Sequence, residues 1–111
     1  MDTLSWAEFE RVEMRTGTII QVNDFPEARK PAYQLTIDFG IEIGIRKSSA
    51  QITKRYAKED LVGTQIIAVV NFPKKQIGKF MSECLVLGSV DGDDIVLLTS
   101  DIRVENGLRI G

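Results

Sequence analysis

The sequence predicts a small, mainly β barrel made of short antiparallel strands. Three observations carry this expectation. Runs rich in β-branched and apolar residues recur at intervals of about eight to twelve residues. Glycine, proline and aspartate turn signals separate them. Only two stretches, Ser5–Val12 and Ile52–Tyr56, have a helical pattern. At 111 residues the chain suits one domain spanning 1–111, and its 43% apolar content supports one modest core.

The elements follow in order. Ser5 with Glu8 three residues on is a capping box, in which each residue satisfies an otherwise unpaired amide of the other. Trp6, Phe9 and Val12 then share a face at helical spacing, which predicts a short N-terminal helix. Met14–Phe25 reads as the first strand, with Gly17 placed where a barrel strand bends. Pro26 and Pro31 bound a loop. Tyr33, Leu35, Ile37 and Phe39 alternate with Gln34, Thr36 and Asp38, so Tyr33–Phe39 is the second strand. Gly40 begins a turn, and Ile41–Ile45 with Arg46 is expected to be the third. Ser48–Tyr56 is polar and ends in a helical turn near Ile52–Tyr56. Gln65–Phe72 is nearly all apolar, as a central strand is, and Pro73 stops it. Ser82–Gly88 and Asp94–Thr99 are two further strands joined through Asp91-Gly92-Asp93. Leu108–Ile110 is a last short strand. Five principal strands with a helical turn between the third and fourth is the plan of an OB-fold.

Composition narrows the function classes. There is no histidine, which removes the commonest general base and transition-metal ligand. One cysteine, Cys84, makes neither a zinc site nor an internal disulfide. The glycines are too scattered for a phosphate loop, and Asp91, Asp93 and Asp94 lack the later glutamate of a calcium loop. No enzyme, metal or cofactor is expected. The N-terminus has neither the basic start nor the apolar run of a secretory signal, and no apolar run spans a bilayer; a cytoplasmic protein is expected. Net charge is only −2, yet eight basic residues between Arg46 and Phe80 face only Glu59 and Asp60. That pattern predicts a basic face on an acidic body.

Three stretches resemble the tRNA-binding domain that is appended to several aminoacyl-tRNA synthetases and also occurs as a free-standing dimer. They are Met14-Arg-Thr-Gly-Thr-Ile19, Phe25-Pro-Glu-Ala28 and the run from Val70 to Glu83. Asp38–Ile45, Ser48–Tyr56 and the ending Asn106–Gly111 are similar, more narrowly, to the CsaA family of export-related chaperones. The resemblance covers nearly the whole chain. It implies an OB-fold homodimer that binds unfolded or preprotein polypeptides, acts without ATP and is linked to protein export. Shared ancestry with the tRNA-binding domains implies RNA affinity, with tRNA as the alternative partner. The general pattern His-Pro-x-Ala-Asp is rewritten here as Phe25-Pro26-Glu27-Ala28-Arg29. The later motif is kept as Asn71, Lys74, Lys75, Gly78 and Ser82.

Two sets of site residues follow. Arg46, Lys47, Lys54, Arg55, Asn71, Lys74, Lys75, Lys79 and Ser82 are the nucleic-acid candidates, because OB-folds bind across the middle strands and their rim loops. Phe72, Ile77, Phe80, Met81, Ser49 and Gln51 are the peptide candidates. Apolar side chains among lysines form a mixed groove, and methionine adapts to varied partners. Phe72 and Phe80 equally suit the end of the core. Trp6, Phe9, Leu108 and Ile110 are the expected dimer contacts, since so small a chain has little core in which to hide them.

Overall fold

A computed structural model describes residues 1–111. The elements are α1 (Trp6–Glu10), β1 (Met14–Asp24), β2 (Tyr33–Asp38), α2 (Gly40–Ile43), β3 (Ile45–Ala50), α3 (Lys58–Leu61), β4 (Gln65–Val69), β5 (Lys75–Ile77), β6 (Phe80–Ser82), β7 (Leu85–Val86), β8 (Gly88–Asp91) and β9 (Asp94–Leu97). Five strands form one antiparallel sheet in the order β3-β2-β1-β4-β7. Two small hairpins, β5–β6 and β8–β9, stand beside it. The sheet curls into a nearly closed OB-fold barrel.

The curl originates in β1. Its first half, Met14–Thr18, pairs with β4, and Thr18–Asp24 pairs with β2 with a register shift between Ile19 and Gln21. Such a bulge bends a strand and increases its twist. Gly17 lies just before it, and a Cβ there would sit 2.7 Å from the Phe39 ring. The strand can therefore pass close over the core only because Gly17 has no side chain. Beneath it pack Ile19, Leu35, Ile37, Phe39, Leu61 and Ile66, all fully buried. Each contributes about 1.5–3 kcal/mol through the apolar surface it removes from water.

Two sets of hydrogen bonds shape the rim. Along one side, β3 meets the 82–84 segment. Glu83 N–H donates to the Lys47 carbonyl (2.7 Å), Ser49 N–H to Ser82 Oγ (3.2 Å) and Ser48 Oγ to the Cys84 carbonyl (3.0 Å). Elsewhere, the C-terminal tail is sewn onto the first half of β1. Buried Thr16 donates through Oγ1 to the Glu105 carbonyl (2.8 Å) and accepts from Leu108 N–H (3.0 Å). Buried Gln65 uses both ends of its amide on the Val104 backbone, at 2.8 and 3.1 Å. Polar groups this deep require partners, and the tail supplies them.

The N-terminal helix forms with both halves of its capping box in place, Glu8 N–H to Ser5 Oγ at 3.1 Å and Ser5 N–H to Glu8 Oε1 at 3.0 Å. The Asp91–Asp94 turn is also as expected. Gly92 has φ +62° while Asp93 does not, the pattern of a type II′ hairpin. The turn near Ile52–Tyr56 is a single bond, Tyr56 N–H to the Ile52 carbonyl at 3.4 Å, and α3 follows it.

Four expectations shift. The third strand is Ile45–Ala50 rather than Ile41–Ile45. Gly40 (φ +86°) and Gly44 (φ +83°) turn the intervening residues into α2, and Ile41 points fully into solvent. The stretch around Lys74–Lys79, between the expected strands Gln65–Phe72 and Ser82–Gly88, is the β5–β6 hairpin, turned by Gly78 at φ +58°. The run 82–88 is broken because it changes partner: Glu83 bonds to β3, whereas Leu85 and Val86 pair with β4. The final strand is reduced to an Arg15–Arg109 bridge, extended by Ile110 N–H to the Met14 carbonyl at 2.9 Å.

Candidate functional site

The β5–β6 hairpin folds back over the loop between β1 and β2. Phe80 packs on buried Phe25 with ring centroids 5.2 Å apart, and the Gly78 turn lies over Glu27. Phe80 is half-buried in this contact, whereas Phe72, three residues past the end of β4, stands 55% exposed.

Two clefts open against this hairpin and a third adjoins them. The largest, about 610 Å³, lies between the hairpin and β7 and is lined by Phe72, Lys74, Lys75, Ser82, Cys84 and Leu85 among others. A second, about 410 Å³, lies between the hairpin, the β1–β2 loop and the end of β3, against Arg29, Lys30, Ser49, Gln51, Lys75 and Ile77. A third, about 350 Å³, separates the end of β3 from β7 and is mostly apolar, with Ile52, Leu85, Val90 and Ile95 in its walls. Lys75 and Gln76 border the first two clefts, Ser49 and Gln51 the last two, and Leu85 the first and third. The clefts therefore form one continuous face, apolar toward β7 and β9 and cationic toward the hairpin and the β1–β2 loop. Among the peptide candidates Phe72, Ile77, Ser49 and Gln51 line it, and among the nucleic-acid candidates Lys74, Lys75 and Ser82.

The cations divide into two groups. Lys54 pairs with Asp93 (3.1 Å), Arg55 grips Asp94 through two nitrogens (2.9 and 2.7 Å), and Lys74 reaches Glu83 (3.6 Å). Arg46 donates to the Val70 carbonyl at 2.6 Å. By contrast Arg29, Lys30, Lys47, Lys75 and Lys79 are exposed and have no carboxylate within 4.0 Å. Of these five, Arg29, Lys30 and Lys75 line the clefts. Arg29 and Lys30 escape a reading of the sequence because they lie outside the 46–80 basic window. Their place between two prolines, at the rim of a predicted barrel, is the signal that could find them.

The Arg55–Asp94 fork ties the β8–β9 hairpin to the segment after β3. Hydrogen bonds from Arg55 hold the Asp94 carboxyl below its ordinary value of 3.8 and raise the Arg55 guanidinium further. A carboxyl lowered by folding adds stability that is full above its unfolded value and lost as pH falls through the folded one. Acidification below about pH 4 is thus expected to loosen this hairpin. Hydrogen exchange at Ile95–Leu97 between pH 6 and pH 3 checks this, after correction for intrinsic rates; unchanged protection would count against it.

Cys84 sits at the base of the largest cleft, 7% exposed. Burial pushes its thiol up to about 12. Thiolate is the reactive form, so iodoacetamide at pH 8 is expected to leave the folded chain largely unmodified and to alkylate it readily in denaturant. Equal rates in the two states would contradict this.

The remaining candidates lie apart. Both ends of the Asn71 side chain hold the segment after α1, accepting from Glu13 N–H (3.0 Å) and donating to the Arg11 carbonyl (2.7 Å). Met81 and Lys79 lie on the hairpin outside the three clefts. Trp6 is 83% exposed and Leu108 45%, while Phe9 and Ile110 are half-buried. Arg109 joins the helix and tail ends, donating to the Glu10 carbonyl (2.9 Å) and pairing with Glu13.

Comparison with known proteins gives a consistent result. Residues 14–109 match the tRNA binding domain family. Over 99% of its length the chain is 34% identical to a segment of the methionine–tRNA ligase of Thermococcus kodakarensis, and it spans 14% of that enzyme. The ligase of Pyrococcus furiosus is 32% identical over the same share, with 15% spanned. The crystal structure of the chaperone CsaA from Bacillus anthracis superimposes with a TM-score of 0.94 at 49% identity, over 99% of this chain and all of that one. The CsaA chaperone from Picrophilus torridus gives 0.93 at 50%, over 98% of this chain and all of that one. The chain belongs to the tRNA binding domain family and resembles the CsaA chaperones along its whole length.

Proposed function

We propose that this chain is an ATP-independent chaperone that holds unfolded or export-bound polypeptides on the face around the β5–β6 hairpin. One observation carries the reading: a mostly apolar cleft adjoins clefts lined by the unpaired cations Arg29, Lys30 and Lys75. A rigid barrel displaying adaptable, mixed pockets suits clients that share no sequence. Full-length likeness to two CsaA chaperones supports it. The working form is a cytoplasmic homodimer. Exposed Trp6 and Leu108 are buried between two copies, with Phe9 and Ile110 beside them, and two faces on one particle give avidity for a long client. A link to secretion follows from the kind of client.

A second reading is tRNA binding, favoured by the five unpaired cations and the family match. It predicts gel-shift affinity that falls steeply with salt, because phosphate contacts release counterions.

The test is light scattering by an aggregating client with a micromolar concentration of the chain. Suppression that is equal with and without ATP supports the chaperone reading. No suppression from a protein that elutes as an intact dimer overturns it.

A further inference from the structure

The barrel does not close completely. Below the bonds that join Lys47 and Ser49 to the 82–84 segment, β3 and β7 diverge, and the third cleft fills the gap between them. In an antiparallel strand alternate residues direct their backbone groups to opposite sides. Lys47 and Ser49 direct theirs away from β2, as their bonds to Glu83 and Ser82 show. The next residue in that phase is Gln51, immediately past the end of β3, and neither its N–H nor its C=O is hydrogen bonded within the chain. An open sheet edge is a template for a further strand, and proteins usually cover or charge it. This one lies uncovered at the junction of the apolar and cationic halves of the face.

We propose that the seam captures client polypeptide in extended form, as a strand added to the β3 edge at Ser49–Gln51. The client's apolar side chains lie against Leu85, Val90 and Ile95, and its acidic side chains lie toward Arg29, Lys30 and Lys75. The proposal rests on the peptide-binding reading of the same face and specifies how recognition works. Main-chain pairing gives affinity without sequence demands, and flanking pockets give preference. Charge complementarity selects the acidic residues, because those three cations have no partner of their own. A nucleic acid offers no amide ladder for the exposed backbone of Gln51 and no apolar match for the β7 side.

The test uses a short fluorescent peptide with an apolar half and an acidic half, and the full chain. Three relatives accompany it: one with Glu replaced by Gln, and two N-methylated at alternate amides in opposite phases. Fluorescence anisotropy is expected to show tight binding of the parent and about tenfold weaker binding of the Gln peptide. About tenfold loss is likewise expected for one methylation phase and little for the other, since only one phase of an added strand faces the edge. Gln51→Pro, which removes an outward N–H, is expected to weaken the parent while leaving the circular dichroism melt near that of the wild type. Should that variant misfold, the methylated peptides still decide. Equal binding of both methylated peptides and the parent overturns strand addition but leaves peptide binding standing. No binding of any peptide, with tRNA bound, overturns both.

Discussion

Gly17→Ala is expected to cost about 1–3 kcal/mol, because the new methyl meets an occupied site. Its Cβ would lie 2.7 Å from two atoms of the Phe39 ring and 2.8 Å from Ile37 Cγ2. Phe39→Ala, which empties a fully buried site, is expected to cost about 3–5 kcal/mol. The two substitutions remove each other's problem: without the ring, the methyl has space. The double variant should therefore lose clearly less than the sum of the single losses, as contacting residues do. Urea unfolding of the four proteins measures this directly. Strict additivity would mean that Gly17 is required for some reason other than the approach of Phe39.

Charge reversal at Arg29 and Lys75 is expected to have the largest effect on binding. Both line the cleft beside β3 and neither is paired. The double variant Arg29→Glu/Lys75→Glu should bind tRNA and acidic peptides at least about tenfold more weakly. Its plot of log affinity against log salt should flatten by roughly 0.7 for each phosphate that the variant no longer neutralises. Lys54→Ala and Arg55→Ala provide the contrast. Their charges are already engaged by Asp93 and Asp94, so binding should change little, while protection of the β8–β9 hairpin falls. Equal losses from both sets would mean that ligand strips the carboxylates from Lys54 and Arg55. Salt titration by fluorescence anisotropy separates the outcomes.

Much of this architecture was legible in the sequence, and most of the exceptions arise from contacts between residues distant in the chain. The capping box at Ser5 and Glu8, the Tyr33–Phe39 alternation and the Gly92 turn are local signals, and each appears where expected. Ile41–Ile45 misled because alternating isoleucines imitate a strand, while the decisive feature is the positive φ of Gly40 and Gly44. The break at Glu83–Cys84 depends on a change of partner from β3 to β4, which no local pattern encodes. The roles of Thr16 and Gln65 depend on a tail some ninety and forty residues away in sequence, so they read as ordinary strand positions. The binding face follows the same rule. Its lysines were visible as a basic window. Which of them are neutralised, and the addition of Arg29 and Lys30, depended on how the loops meet at the rim.

The most direct test of the central claim is residue-by-residue mapping by NMR, with an unfolded client titrated into the chain in the absence of nucleotide. The account predicts amide shifts concentrated at Ser49, Gln51, Lys75 and Leu85, unaltered when ATP is added. Shifts confined to α1 and the C-terminal tail, or no shifts at client concentrations at which aggregation is suppressed, would contradict it.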